Sequence, residues 1–279
     1  KGLQEAAVAK QTLNVSTMFS FQSLWGDFVP INHTGKDGKP DPIGVGTLST
    51  DAAHGIDDFL VSLQPFVANG TITGIFIGDE RTCEAGYQTH PWAFDIYINH
   101  TTTRIRALLG NRPLVYANDC FTGWPEIPDG VDLVGIDGYS PGTNGSAEVA
   151  VVHNLLAPLW PMLKPWQGAM VVPGMIGCSP SSTIGANQSF ELQQEHLLQK
   201  LDGYMAWAST EPRIAGFTMW HYNNYATNPD CGQVVCPGPE RGCDWRWGAS
   251  NFPKVVEKLH QIGQSILSHP GDAQQARAP

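Results

Sequence analysis

Short apolar runs alternate with amphipathic stretches, polar residues recur just past the ends of those runs, and no glycine-rich phosphate loop follows the first of them. These three observations predict an α/β fold, a (β/α)8 TIM barrel in a single domain, with its first strand irregular or upstream of Lys1. Continuous apolar runs are what parallel strands buried on both faces require. The barrel is expected over residues 1–269, and a polar, Ala/Gln-rich flexible tail over 270–279.

Taken in order, strands are expected at 13–22, 43–48, 73–78, 113–118, 131–136, 169–175 and 214–219. If residues 1–10 form a helix after an unseen strand, these are strands two to eight. After the run at 43–48, Thr50-Asp51 offers a capping pair. Ile56, Phe59, Leu60, Leu63, Phe66 and Val67 then recur at helical spacing, and Asn69-Gly70 supplies a stop. A second helix carries Phe94, Ile98, Ile105, Leu108 and Leu109 and ends at Gly110. A third is expected at 189–209. The last carries Phe252, Val255, Val256, Leu259, Ile262 and Ile266.

Composition narrows the function classes. The chain has 279 residues, is 42% hydrophobic and only 15% charged, and carries a formal net charge of −10 without a basic cluster. Phosphate neutralisation needs a concentrated basic face, so nucleic acid is excluded as a partner. No run is long and apolar enough for a membrane span. Six cysteines (Cys83, Cys120, Cys178, Cys231, Cys236, Cys243) accompany six N-x-[ST] sequons, where chance gives about one or two. An even cysteine count with excess sequons implies a eukaryotic, secreted, disulfide-bonded extracellular glycoprotein. Glycans are expected at Asn32, Asn69, Asn99, Asn144 and Asn187; Asn14 sits in an apolar run and is expected to be buried and unmodified. The chain begins at Lys1 without Met, which implies that a signal peptide has been removed or omitted.

The strand ends carry the chemistry. Gly74-Ile-Phe-Ile-Gly78 runs straight into Asp79 and Glu80, and neighbouring strand residues point to opposite faces, so at most one of the two enters the barrel mouth. Glu80 is the candidate general acid, because burial at a rim raises a carboxyl pKa toward neutral; a helix cap is the alternative use of the pair. The next strand ends Asn118-Asp119-Cys120, giving a second rim acid. A Cys83–Cys120 disulfide would pin the two acid-bearing loops; the other four cysteines pair in three possible ways. Asp132 is expected to start its strand and cap the bottom of the barrel, while Asp137 and Tyr139 share a face at the top. Trp220 closes the last strand, followed by His221, Tyr222 and Asn223, an aromatic and amide lining suited to a sugar's C–H faces and hydroxyls. Trp124, Trp245 and Trp247, read as loop residues, could add subsites. The histidines are scattered and no G-x-S-x-G or Walker pattern occurs, so no metal or cofactor is expected; a divalent ion held by Asp79, Asp119 and Asp137 is the lesser alternative.

Together, the acidic pair ending strand 73–78, Asp137-Gly-Tyr139 and Trp220 resemble the TIM-barrel glycoside hydrolases, with the rim layout of the chitinase-like barrels. The resemblance implies Glu80 as proton donor, with Asp137 and Tyr139 orienting a carbohydrate substrate. The chain departs from the D-x-x-D-x-D-x-E strand, having Thr73, Phe76 and Gly78 at the acid positions, and 169–177 holds no strand-seven carboxylate. The expected activity is hydrolysis of O-glycosidic bonds of a poly- or oligosaccharide. Asp119 or Asp137 would act as base, nucleophile or orienting anion, and Asp79 and Asn118 would touch substrate. The rival reading is a non-catalytic carbohydrate-binding or structural glycoprotein on the same scaffold.

Overall fold

The computed structural model describes residues 2–14, 16–20, 29–30, 46–47, 50–79, 98–118, 126–138, 145–178, 189–218 and 246–268. Along the chain the elements are α1 (Gly2–Leu13), β1 (Thr17–Ser20), β2 (Val29–Pro30), β3 (Gly46–Thr47), α2 (Thr50–Ala68), β4 (Ile72–Asp79), α3 (His100–Leu109), β5 (Leu114–Asn118), β6 (Leu133–Gly138), α4 (Gly145–Leu156), β7 (Gly168–Pro173), β8 (Ile176–Cys178), α5 (Phe190–Thr210), β9 (Ile214–Phe217), β10 (Arg246–Gly248) and α6 (Pro253–Ser268). Six strands form one sheet in chain order, β1-β4-β5-β6-β7-β9. The pairs β1·β4, β4·β5, β5·β6 and β7·β9 are parallel.

The chain divides into two compact units, residues 1–135 with 162–168, and residues 136–161 with 169–279. In the first, α2 follows the expected 3.6-residue spacing and buries Leu60, Leu63 and Val67, while Ile72, Ile75, Ile77 and Val115 bury their side chains in the strands. Each such aliphatic contributes about 1.5–3 kcal/mol of transfer free energy. At the entry to β6, Asp132 does what its position predicts. Its Oδ2 accepts from Val115 N at 2.7 Å and pairs with Arg106, whose guanidinium also donates to the carbonyls of Pro113 and Gly130, both at 2.9 Å. One buried side chain, Gln167, donates to the carbonyls of Pro128 and Val131 and accepts from Lys164 N.

Two expectations are corrected here. Leu13 is the last residue of α1, not the start of a strand: Asn14 takes φ 52° and donates its N–H to Lys10 O at 3.1 Å, which ends the helix. The run 13–22 therefore serves two elements. Gly46–Thr47, inside the run expected at 43–48, pairs antiparallel with Val29–Pro30 and is outside the six-stranded sheet. Pro30 has no N–H with which to extend that ladder.

In the second unit β7 is buried at every position, as a central parallel strand should be. Against it lies a core of Met175, Leu197, Leu201, Ala249, Phe252 and Val255, with Phe190 stacked on Phe252 at 5.0 Å. Helix α5 is capped by Ser189, whose hydroxyl accepts from Leu192 N. Within this apolar packing Glu148 of α4 and Lys200 of α5 form an ion pair, 0% and 1% exposed. Glu148 Oε1 also accepts from Tyr204 Oη and Gly174 N, and Lys200 Nζ donates to Gly174 O, each at 3.2 Å. Burial, then the Glu148 charge, holds the Tyr204 phenol protonated far above its ordinary range.

A charge stranded at such a site costs about 3–5 kcal/mol. Lys200→Met is therefore expected to destabilise the protein by about that amount in urea denaturation. Glu148→Gln/Lys200→Met keeps an acceptor for Gly174 and Tyr204 and is expected to lose much less. Equal losses in the single and double variants would refute the pairing.

Candidate active site

The site must be built at the C-terminal ends of the strands, and the register there is set by one irregularity. Along β4 and β5 the partners run Gly74↔Leu114, Ile75↔Val115 and Phe76↔Tyr116, then Gly78↔Ala117 and Asp79↔Asn118. Ile77 is the extra residue. An unshifted ladder would have set Gly78 beside Asn118; the bulge sets Asp79 there instead. The paired residues Asp79 and Asn118 are followed in the sequence by Glu80 and Asp119, which lie outside the described residues.

Below that point the packing is defined. The Phe76 ring stacks on Tyr116, centroids 5.0 Å apart. Tyr116 and Asn118, two residues apart and hence on one face, are 2% and 4% exposed. Both reach over β6, where Asn118 is the register partner of Gly135. A Cβ on Gly135 would lie 2.3 Å from Tyr116 Oη and 2.7 Å from Asn118 Oδ1. The glycine is there because two polar side chains occupy the space a methyl group would fill.

Of the sequence-predicted site residues, Asn118 is thus placed, buried, at the end of β5. Asp79 ends β4 and Asp137 lies within β6, so both strands run past the ends expected at 78 and 136 to include the acids, whose side chains are outside the described residues. Glu80, Asp119, Trp124, Tyr139, Trp220, His221, Tyr222 and Asn223 lie outside the described residues, as do Cys83, Cys120, Cys231, Cys236 and Cys243 and sequon residues Asn32, Asn144 and Asn187. Cys178 ends β8, placed by its backbone. Trp247, read from sequence as a loop residue, is the middle residue of β10 and pairs with Gly177 of β8; a contact between positions so distant in sequence leaves no local signal. No group of His, Cys, Asp or Glu that could hold a metal occurs among the described residues, and no described helix is long and apolar enough to cross a membrane.

Sequence reasoning also missed Glu148 and Lys200, which fix the backbone of Gly174 just beyond β7 from both its N–H and its carbonyl. The available signal was a lysine at an apolar position of a helical pattern, Leu197, Lys200, Leu201, Tyr204.

Structures named as a β-glucuronidase and an exo-β-1,4-mannosidase are among those that match. A β-glucuronidase from an uncultured Clostridium sp. superposes with TM-score 0.56 at 12% identity, over 93% of this chain and 42% of that one. The fold is that of an α/β barrel. Exo-β-1,4-mannosidase Op5Man5 from Opitutaceae bacterium strain TAV5 matches with TM-score 0.50 at 14% identity, over 80% of this chain and 41% of its own. Faecalibacterium prausnitzii β-glucuronidase gives TM-score 0.47 at 16% identity, over 67% of this chain and 31% of its own. The chain thus spans less than half the length of these proteins. No family model and no curated protein matches the sequence. Six of the strands of that barrel lie among the described residues.

Gly135→Ala is expected to cost about 1–3 kcal/mol, since neither Tyr116 Oη nor Asn118 Oδ1 can withdraw without losing its place. Gly74→Ala meets chiefly the Met18 side chain, its Cε at 2.9 Å and Cγ at 3.2 Å, with the Leu114 carbonyl at an ordinary 3.4 Å, and is expected to cost less. Thermal melts of the two variants check the order; a milder loss for Gly135→Ala would show that the β5–β6 face is loosely packed.

Proposed function

We propose that this protein is a secreted glycoside hydrolase acting on O-glycosidic bonds of a poly- or oligosaccharide. The observation that carries the reading is the register Asp79↔Asn118, after which the next residues in sequence are two acids, Glu80 and Asp119. Glycoside hydrolysis needs a pair of carboxyl groups on either side of the scissile bond. Support comes also from the fold, shared with proteins named as a β-glucuronidase and an exo-β-1,4-mannosidase.

In this reading Glu80 protonates the leaving oxygen and Asp119 is the nucleophile or base. Asp137 and Tyr139 orient the sugar and stabilise positive charge as the bond breaks. Asp79 and Asn118 bind hydroxyls; Trp220, with His221, Tyr222, Asn223 and Trp124, supplies the stacking and hydrogen-bonding lining. No cofactor takes part. The separation of the two carboxyl groups decides the stereochemistry: about 5–5.5 Å gives retention of anomeric configuration and about 6.5–9.5 Å gives inversion. Secretion, an extracellular location, the glycans at Asn32, Asn69, Asn99, Asn144 and Asn187, and disulfides among the six cysteines belong to the same reading and rest on the sequon excess and the even cysteine count.

Glu80→Gln is expected to lower kcat by about 10²–10⁴-fold, the usual worth of a general acid, with the melting temperature and sugar binding retained. Turnover of a β-linked oligosaccharide panel by the wild type and this variant tests the assignment. Undiminished turnover in the variant would remove Glu80 from the mechanism. Sugar binding without any wild-type hydrolysis would turn the reading to a carbohydrate-binding glycoprotein.

A further inference from the structure

Two of the six sequons, far apart in sequence, meet at the N-terminal ends of β1 and β4. Asn14-Val15-Ser16 leads into β1, and Asn69-Gly70-Thr71 leads into β4. Ser16 Oγ donates to Gly70 O at 2.9 Å, and Thr17 N donates to Thr71 O at 2.8 Å. The apolar neighbours of Asn14 argue for burial, but the residue is exposed, because it takes the left-handed conformation that ends α1. Asparagine tolerates that conformation better than other residues with a side chain. Asn69 is exposed too; its Oδ1 accepts from Thr71 N at 2.9 Å, so the turn uses the oxygen of the amide and not the nitrogen that carries a glycan. Leu13, next to Asn14 in the chain, is 72% exposed.

We propose that Asn14 is an N-glycan acceptor and that, with Asn69, it roots two glycans on one patch at the N-terminal ends of β1 and β4. The proposal rests on the secretory part of the function proposed above. The co-reactant is a lipid diphosphate-linked oligosaccharide. The Asn14 Nδ2 attacks its anomeric carbon, the bond from that carbon to the diphosphate oxygen breaks, lipid diphosphate leaves with the electron pair, and the amide proton passes to a carboxylate of the transferase. Transfer precedes folding, while the hydroxyls of Ser16 and Thr71 are still accessible: in the folded chain Ser16 is bonded to Gly70 O, and Thr71 is 2% exposed. The two glycans then cover Leu13 at the N-terminal ends of β1 and β4.

The test is to secrete the full chain from a eukaryotic host and release the glycans with an amidase in ¹⁸O water, which marks each occupied asparagine as labelled aspartate. Labelled peptides containing Asn14 and Asn69 are expected, together with intact molecules carrying both glycans. Asn14→Asp, which keeps a residue tolerant of the left-handed conformation, should lose one glycan and still be secreted. An unlabelled Asn14 beside other labelled sequons would overturn the proposal and leave the secretory reading standing. Molecules with a glycan at Asn14 or Asn69 but never at both would overturn the pairing. A secreted chain with no labelled sequon would overturn both readings.

Discussion

The extra residue in β4 is the constraint on which the arrangement of the strand ends depends. Without the bulge at Ile77 the ladder would continue Phe76↔Tyr116 into Ile77↔Ala117, and every later residue of β4 would move on one place against β5. Side chains alternate along a strand, so a one-residue slip exchanges the faces of all that follow. The bulge thus lets one strand keep two commitments. Ile75 and Ile77 stay fully buried, while Asp79 reaches the position beside Asn118. Bulges are found next to active sites because they re-aim a strand end without disturbing its core.

The cradle beneath has a matching logic on the other side of β5. Tyr116 and Asn118 are polar at their tips and buried, and they fit only because β6 carries no side chain at Gly135. On the β4 side the Tyr116 ring stacks on Phe76.

Much of the scaffold was legible because its determinants are local. The spacing of Leu60, Leu63 and Val67 marks α2, and the unbroken apolar run of β7 marks a strand covered on both faces. Reading failed where a neighbour distant in sequence decides. The apolar residues around Asn14 look like one strand; a single left-handed residue divides them. Helix α4 escaped because Val149, Val151 and Val152 favour a strand intrinsically, and it is held as a helix by burial of Val152 and Leu156. Strand β10 exists only through its pairing with β8. For the candidate site the acids could be picked out by their position after apolar runs. The bulge that sets their register could not, since nothing in Gly74–Gly78 says which residue will be left unpaired.

The buried pair of Glu148 and Lys200 has a consequence for how this fold can diverge. Each charge is tolerable only in the other's presence, and both grip the backbone of Gly174. A lineage that drops one of them first must pass through a poorly folded ancestor, so inheritance ties the two codons together. Descendants are expected to keep both or to have exchanged both, with Tyr204 free to become phenylalanine only after the acid has gone.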